Sequence, residues 1–417
     1  MAAPAWVRTA AMKIFIGVIY SLLPEIILLI AAALLAGFIG QFPPSGILAL
    51  ELVSLFILLA ALAMSIQFNR RRIFFALLSL TVAYGGLLAA AGAPDSVNAQ
   101  ILSGGLCLLL PFNLLWTHAL AERGIFTRRG AWPFALLAIE IVFVAALMGA
   151  GALQVARALF VHFVNWPALS ATGISQPGLL LLAVGLLWFN DGLIRRHNPE
   201  LAAFFFSLVA AAVMLHTRQA GILATFAAAA GVAFGFAIVL ESWSMAYEDE
   251  LTGLPGRRAL EEQLRQLGSR YVIAMLDVDH FKRFNDDYGH DVGDQVLRLV
   301  ASRLQKSTGG GKPFRYGGEE FTLVFPGRTL EEVAPVLEAL RGDFATSGFN
   351  PRRGERRSAA PGVSDPDAEV ALRVTMSIGA AESGARHRDP WSVLMTADRA
   401  LYKAKQTGRN QVCLDQA

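Results

Sequence analysis

Apolar and polar positions fall into two rhythms along this chain. Up to about residue 241, long apolar runs alternate with short polar breaks; from 242 to 417, apolar residues recur at helix and strand spacings among most of the acidic residues. Eight of the apolar runs, at about 14–40, 46–66, 73–93, 99–120, 132–152, 178–194, 201–217 and 220–241, approach the ~20 residues that cross a bilayer core as a helix. The first is too long for a secretory leader, contains Pro24 and Glu25, and passes directly into another apolar run, so it is expected to be a retained span. Between Leu240 and Leu251 the polar stretch ESWSMAYEDE has neither Pro nor Gly. It is expected to carry the last span onward as one helix and is too short for several coiled-coil heptads.

The second half reads as alternating elements. ALEEQLRQL predicts a helix, YVIAMLDVD a buried strand, DQVLRLVASRLQ a helix, and FRYGGEEFTLVF two strands around a turn. Thr329 with Glu332 forms a capping-box pattern opening a helix to Leu340. VTMSIGAA is a further strand, and Asp389-Pro390 opens a last helix that reaches Gln406 and stops at Gly408. The expected fold class is an N-terminal all-α transmembrane bundle of about eight helices followed by a C-terminal palm-like α+β domain with a central mixed sheet. The expected domains are residues 1–241, a helical linker 242–250, and 251–417.

Composition agrees with a chain partly in lipid: 54% of residues are hydrophobic and the mean hydropathy is +0.48. Arg8, Lys13, Arg70 to Arg72, Arg123, Arg128, Arg129, Arg195 and Arg196 fall on one side of eight spans, against Arg157 and Arg218 on the other. That asymmetry places the N-terminus and residues 242–417 in the cytoplasm. A formal charge of +3 without a basic stripe gives no reason to expect a nucleic-acid partner. Cys107 and Cys413 differ in surroundings and lie far apart in sequence, which argues against a disulfide framework. The outer segment 153–177 reads as an interfacial helix or as the lid of a ligand pocket, with His162, like His216, an interface residue rather than a metal ligand. Glu25, Glu51 and Glu140 sit inside apolar runs, where a carboxylate is either functional or hydrogen-bonded within the bundle.

The chemistry gathers in the second half. Asp277 and Asp279 end a hydrophobic strand on one face, and a hairpin lying beside it would bring Glu319 to Asp277 through a glycine turn. Two carboxylates at one strand edge suit a hard divalent ion that also meets phosphate oxygens. GGEE alone reads better as a solvated hairpin turn. HFKRFNDDYGHDVGD adds Lys282 for phosphate, Asn285 and Asp294 for a purine edge, and Gly289 and Gly293 to bend the backbone between them. Lys405 and Arg409 either cradle a triphosphate or complement the dipole of the last helix.

Together DELTGLPGRR (249–258), MLDVDHFKRFNDDYGHDVGDQVL (275–297), RYGGEEF (315–321), VTMSIG (374–379) and ADRALYKAKQTGRNQV (397–412) resemble the GGDEF domain of diguanylate cyclases. The resemblance covers nearly all of the second half and none of the first. It implies condensation of two GTP into cyclic di-GMP with release of two pyrophosphates, by a homodimer, since each domain holds one GTP. It further implies Mg²⁺, with Mn²⁺ as a substitute, on Asp277, the Val278 carbonyl and Glu319. Glu319 would also take the 3′-hydroxyl proton, with Glu320 supporting the metal site. Asn285 and Asp294 would read guanine, and Lys282, Lys405 and Arg409 the triphosphate, while His290 shapes its loop. With the spans, this gives a multi-pass protein of the bacterial inner membrane whose partners are GTP, lipid and a second copy. Three departures stand out. Thr308 to Gly311 read TGGG where many members carry the RxxD of product inhibition, so that feedback is expected to be absent. Gly256 replaces the usual Asn, and the polar segment between Asn350 and Leu372 is longer than the usual hairpin. The main competing reading is a catalytically silent GTP-binding receptor, which the intact Asp277, Lys282, Glu319 and Glu320 disfavour.

Overall fold

The computed structural model describes residues 5–415 apart from 151–153, 155–163, 165, 166, 171, 197, 307, 308, 347, 350–371 and 385–388. Arg157 and His162, Thr308, and nearly all of the segment between Asn350 and Leu372 therefore lie outside the described residues. The chain divides into two compact units, Met1–Ser242 and Trp243–Ala417.

The first unit is helical: α1 (Ala5–Phe38), α2 (Pro44–Gln67), α3 (Arg71–Gly92), α4 (Val97–His118), α5 (Trp132–Gly149), α6 (Gln176–Arg196), α7 (Pro199–His216) and α8 (Ala220–Tyr247). Polar caps and prolines start several of them. Ser96 Oγ accepts from Ala99 N–H at 3.1 Å to open α4, and Asn198 Oδ1 accepts from Glu200 N–H at 2.7 Å to open α7 behind Pro199. Seven described helices are long and apolar enough to cross a membrane: Leu22–Gln41 within and just past α1, then α2, α3, α4, α5, α7 and α8. The expected sixth span is helical as α6, and the side chains of 194–196 at its end lie outside the described residues. The buried centre comes from α3, α4, α7 and α8, whereas α5 turns nearly all of its apolar side chains outward. Within that centre Ser54 Oγ donates to the Ala224 carbonyl at 2.8 Å, joining α2 to α8, and Asn113 Nδ2 donates to Glu140 Oε2 at 2.8 Å, joining α4 to α5.

The second unit contains α9 (Arg257–Arg265), β1 (Tyr271–Val278), α10 (Phe281–Tyr288), α11 (His290–Lys306), β2 (Lys312–Arg315), β3 (Glu320–Pro326), α12 (Leu330–Thr346), the short pair β4 (Gly348–Phe349) and β5 (Leu372–Arg373), then β6 (Met376–Glu382), α13 (Pro390–Gln406) and β7 (Val412–Asp415). Its main sheet has the order β2-β3-β1-β6-β7, antiparallel except for the β6-β7 pair. The expected mixed sheet is present. The capping box forms as predicted: Thr329 N–H donates to Glu332 Oε2 at 3.1 Å and Glu332 N–H to Thr329 Oγ1 at 3.4 Å. The pattern reading missed β7, because its VCLD is too short and half-exposed to announce a strand. It also missed α10, whose polar FKRFNDDY buries only Phe281. The helix expected from Asp294 begins at His290, so Gly293 lies inside α11 and does not bend the chain; Gly289, at φ 87°, does.

β1 is buried along its whole length, as a central strand covered on both faces must be. Its period of two assigns the layers. Val272, Ala274, Leu276 and Val278 pack with α11 and α12, whereas Tyr271, Ile273 and Met275 pack with α9 and α13. Asp277 continues the odd-numbered series, so its carboxylate belongs to the α13 face.

That face is tight. A Cβ at Gly379 on β6 would overlap the backbone of Ala397 and Leu401 in α13. Gly379→Ala is therefore expected to push α13 from the sheet and destabilise this unit by about 3 kcal/mol or more, read as loss of the folded protein on expression and heating. Gly256 is the N-cap of α9, in extended conformation and without a side-chain cap, and a Cβ there meets nothing closer than 3.6 Å. Gly256→Asn should restore the missing cap and stabilise by a few tenths of a kcal/mol, a small upward shift in the thermal midpoint.

Candidate functional site

Asp277 sits at the last turn of alternation in β1, only 4% exposed. Across the ladders it faces Glu320 on β3 and Ser377 on β6. The residue directly opposite is thus Glu320, and Glu319 joins from the turn, its carbonyl accepting from Val278 N–H at 3.4 Å. Lys405, near the end of α13, closes the group: its Nζ lies 2.8 Å from Asp277 Oδ2. Burial pushes the Asp277 carboxyl up to about 6; Lys405 pulls it down, and the charges of Glu319 and Glu320 push it up. Glu319 is raised as well, first by burial, with Lys405 opposing and Glu320 adding. Three acids and one ammonium at one strand end form a site that attracts a cation.

The glycine turn serves this group through space rather than through unusual torsions. Neither Gly317 nor Gly318 has a left-handed φ. A Cβ on Gly317 would come within 3.0 Å of Glu320 Oε2, and one on Gly318 would stand in the open. Arg315 holds the turn: Nε donates to the Gly317 carbonyl at 3.2 Å and Nη2 to that of Gly318 at 2.6 Å, while Nη1 reaches Asp249 Oδ1 at 2.7 Å. Asp249 also accepts from Thr252 N–H (2.9 Å) and Oγ1 (2.6 Å). Burial pushes the Asp249 carboxyl up, but the donors of Thr252 and Arg315 outweigh it and hold it below the usual carboxylate range.

Asp279 does not share the exposed edge with Asp277. It is buried one residue past β1, accepting from Ser377 Oγ (2.6 Å), Thr375 Oγ1 (2.8 Å) and Asn410 N–H (3.0 Å). It ties the end of β1 to β6 and to the turn after α13, where Arg409 and Asn410 both have positive φ. Asp249, Thr252, Arg315 and these partners of Asp279 were not singled out from the sequence. Their signal was there: Asp-x-x-Thr is the spacing at which a capping aspartate accepts from the backbone N–H three residues on, and an arginine stands two positions before the glycine turn.

The other expected residues lie on α10, α11 and the end of α13. Asn285 Oδ1 is buried without a hydrogen-bond donor, and Gly293 provides its room, since a Cβ there would overlap it. Asp294 is half-buried in the same turn of α11, while Lys282, His290 and Arg409 are exposed. Among the described residues no group of three or more His, Cys, Asp or Glu side chains gathers as a metal cluster. The oxygen donors at hand for a cation are the carboxylates of Asp277 and Glu319 with backbone oxygen beside them, a hard set suited to a small divalent ion.

Residues 246–411 match the family model described as "Diguanylate cyclase, GGDEF domain". The chain is 35% identical over 179 residues to the response regulator PleD of Caulobacter vibrioides, covering 41% of this chain and 36% of that protein. It is 37% identical over 175 residues to the diguanylate cyclase DgcP of Pseudomonas aeruginosa, covering 40% of this chain and 24% of that one. It thus spans about a quarter to about a third of the length of these curated relatives. A crystal structure of the coiled coil and GGDEF domain of DgcB from Caulobacter crescentus in complex with c-di-GMP is similar over 42% of this chain and 90% of that one, at 33% identity and a TM-score of 0.37.

The raised Asp277 gives a pH signature. The folded chain keeps this proton up to about pH 6 whereas the unfolded chain releases it near the ordinary aspartate value of about 3.9, so this group's contribution to stability falls as pH rises through that window. A cation needs the ionised form, so divalent-cation binding at subsaturating metal should fall off below about pH 6, an acidic limb in its pH profile. Lys405→Met removes the pull downward, and the limb should move to higher pH; a profile that only drops in height would contradict the ion pair's role.

Proposed function

We propose that the chain is a membrane-bound diguanylate cyclase. Residues 251–417 condense two GTP into cyclic di-GMP, and the helices of residues 1–241 anchor and regulate a homodimer at a bacterial inner membrane, with the N-terminus and cyclase domain cytoplasmic. The carrying observation is the strand end where Asp277 lies opposite Glu320, beside Glu319, with Lys405 Nζ at 2.8 Å. The family match over 246–411 supports the same reading. The ammonium on Asp277 indicates a position where positive charge is held, and the donor set fits Mg²⁺ or Mn²⁺. Asp277, Glu319 and the Val278 carbonyl would hold that ion, which when bound neutralises phosphate charge and orients phosphate oxygens.

The remaining roles belong to the chain's own groups. Guanine presents ring and amino N–H donors on its pairing edge, and the buried, donor-less Asn285 Oδ1 with the Asp294 carboxylate offers acceptors for them. The choice of guanine over adenine rests on the family resemblance. Lys282 and Arg409, both exposed, hold the outer phosphates, and Lys405 joins them once another cation takes over Asp277. Glu319 receives the 3′-hydroxyl proton as that oxygen attacks the α-phosphorus of the second GTP and pyrophosphate departs. Its raised carboxyl makes it a better proton acceptor than an ordinary glutamate. Glu320, on the same face as Asp277, adds negative charge that retains the cation. Since each domain binds one GTP, two domains must oppose their sites, which turns the condensation into a positioned reaction.

The test is incubation of the full-length protein in detergent with GTP and Mg²⁺, with products identified by mass spectrometry. Cyclic di-GMP, preceded by the linear dinucleotide, is the expected outcome. Glu319→Gln and Asp277→Asn should each lower turnover by about 100-fold or more with unchanged circular dichroism. GTP that is bound but recovered intact would make the chain a receptor and overturn the assignment.

A further inference from the structure

The first unit carries a polar cavity of about 510 Å³, lined among others by Arg72 of α3, His118 of α4, Trp188 and Asp191 of α6, Asn198, and Glu200 of α7. It lies where the arginine-bearing connections of the helices meet, the end that loop charge assigns to the cytoplasm. The first turn of α7 drives Glu200 inward: the Asn198 cap and Pro199 fix the helix start, and Glu200 is left only 5% exposed.

Glu200 Oε1 receives no hydrogen bond among the described residues. Its nearest cationic atoms are Arg72 Nη1 at 3.7 Å and His118 Nδ1 at 3.8 Å, both beyond hydrogen-bonding range. Arg72 Nε donates to the Leu120 carbonyl at 2.5 Å, and the His118 ring stands edge-on between Phe189 and Phe204, each 5.1 Å away. Other charges nearby are committed: the Arg71 guanidinium donates to the Gly130 and Ala121 carbonyls at 3.1 and 2.9 Å, and Arg70 pairs with Glu241 at 3.0 Å. The carboxyl group of Glu122 lies close enough to Glu200 to feel its charge, and that of Glu241 is close enough to share a side-chain hydrogen bond with it, two acids over one proton. A buried carboxylate oxygen without a donor, among further acids, is costly, and His118 Nδ1 beside it is likewise unpartnered.

What Glu200 Oε1 lacks is a positively charged N–H donor within hydrogen-bonding range. Its volume falls within the range of small-molecule sites and exceeds what a bare ion needs, and no metal-type cluster exists among the described residues. Trp188, 63% exposed, adds an indole face on the wall, the natural neighbour of an organic cation. We propose that this cavity binds a small organic cation bearing an ammonium or guanidinium group, which donates to Glu200 while its apolar part lies on Trp188. The ligand is drawn from the cytoplasm, so the membrane half reports on the cell interior.

Binding is measured on the full-length protein in nanodiscs by calorimetry and tryptophan fluorescence, independently of GTP turnover. The probes are the chlorides of phenethylamine, putrescine and agmatine, with sodium acetate and glucose as controls. At least one cation should bind saturably, and Glu200→Gln should weaken it at least tenfold. Trp188→Leu, at an exposed position, should weaken that cation severalfold and serves as the second variant where Glu200→Gln assembles poorly. Absence of saturable binding by all three cations, binding unchanged in both variants, or acetate binding lost with Glu200 would each overturn the proposal.

Discussion

Like charges crowded at one strand end need a counter-charge in a fixed place, and the second unit is arranged to provide one. Asp277 is buried, faces Glu320 across the ladder and feels Glu319 from the adjoining turn. Such a group is tenable because α13 delivers Lys405 to it at 2.8 Å. That delivery in turn requires α13 to press against β6, which Gly379 permits by having no side chain. The turn beyond the helix must also be secured, and Asp279 does so by accepting from Asn410 N–H together with the hydroxyls of Thr375 and Ser377. The core supplies the stability from which the electrostatic cost at the strand end is met.

Much of this was legible in the sequence because it follows from short-range rules. Strand alternation put Asp277 at an edge, glycines marked the hairpin, and Thr329 with Glu332 marked a helix start, and each of these is a local property. What escaped had either weak local signal or a long-range cause. β7 owes its existence to pairing in parallel with β6, not to its own four residues. Asp279 looks like a second edge carboxylate until residues 96, 98 and 131 positions away donate to it. Gly293 looks like a hinge but is a helical residue whose missing Cβ makes room for Asn285. In the first unit, apolar length located the helices well, α6 included, because each run is long enough to form a helix from its own residues.

The two units solve different solvation problems. In the second, alternating strand faces and amphipathic helices bury apolar groups on both sides of a sheet. In the first, apolar side chains also point outward, as on α5 with Ile139, Ile141, Val142 and Phe143, and polar groups inside the bundle must find partners within it. Asn113 with Glu140, and Ser54 with the Ala224 carbonyl, are of that kind. Glu200 departs from the rule, which is why its unmet oxygen carries weight where an exposed acid would carry none.

The connection between the end of α8 and the glycine turn is a chain of short, directional bonds. Gly256 N–H donates to the Tyr247 carbonyl at 2.7 Å, Asp249 N–H to Leu254 at 2.8 Å, and Arg315 N–H to Pro255 at 2.9 Å. The Asp249 carboxylate then meets the Arg315 guanidinium, whose other nitrogens hold the Gly317 and Gly318 carbonyls. None of these links is a loose side-chain contact, because each uses a backbone group or a charge-assisted pair. The shape of the turn that carries Glu319 therefore rests on the residues that follow Tyr247 as much as on its own glycines.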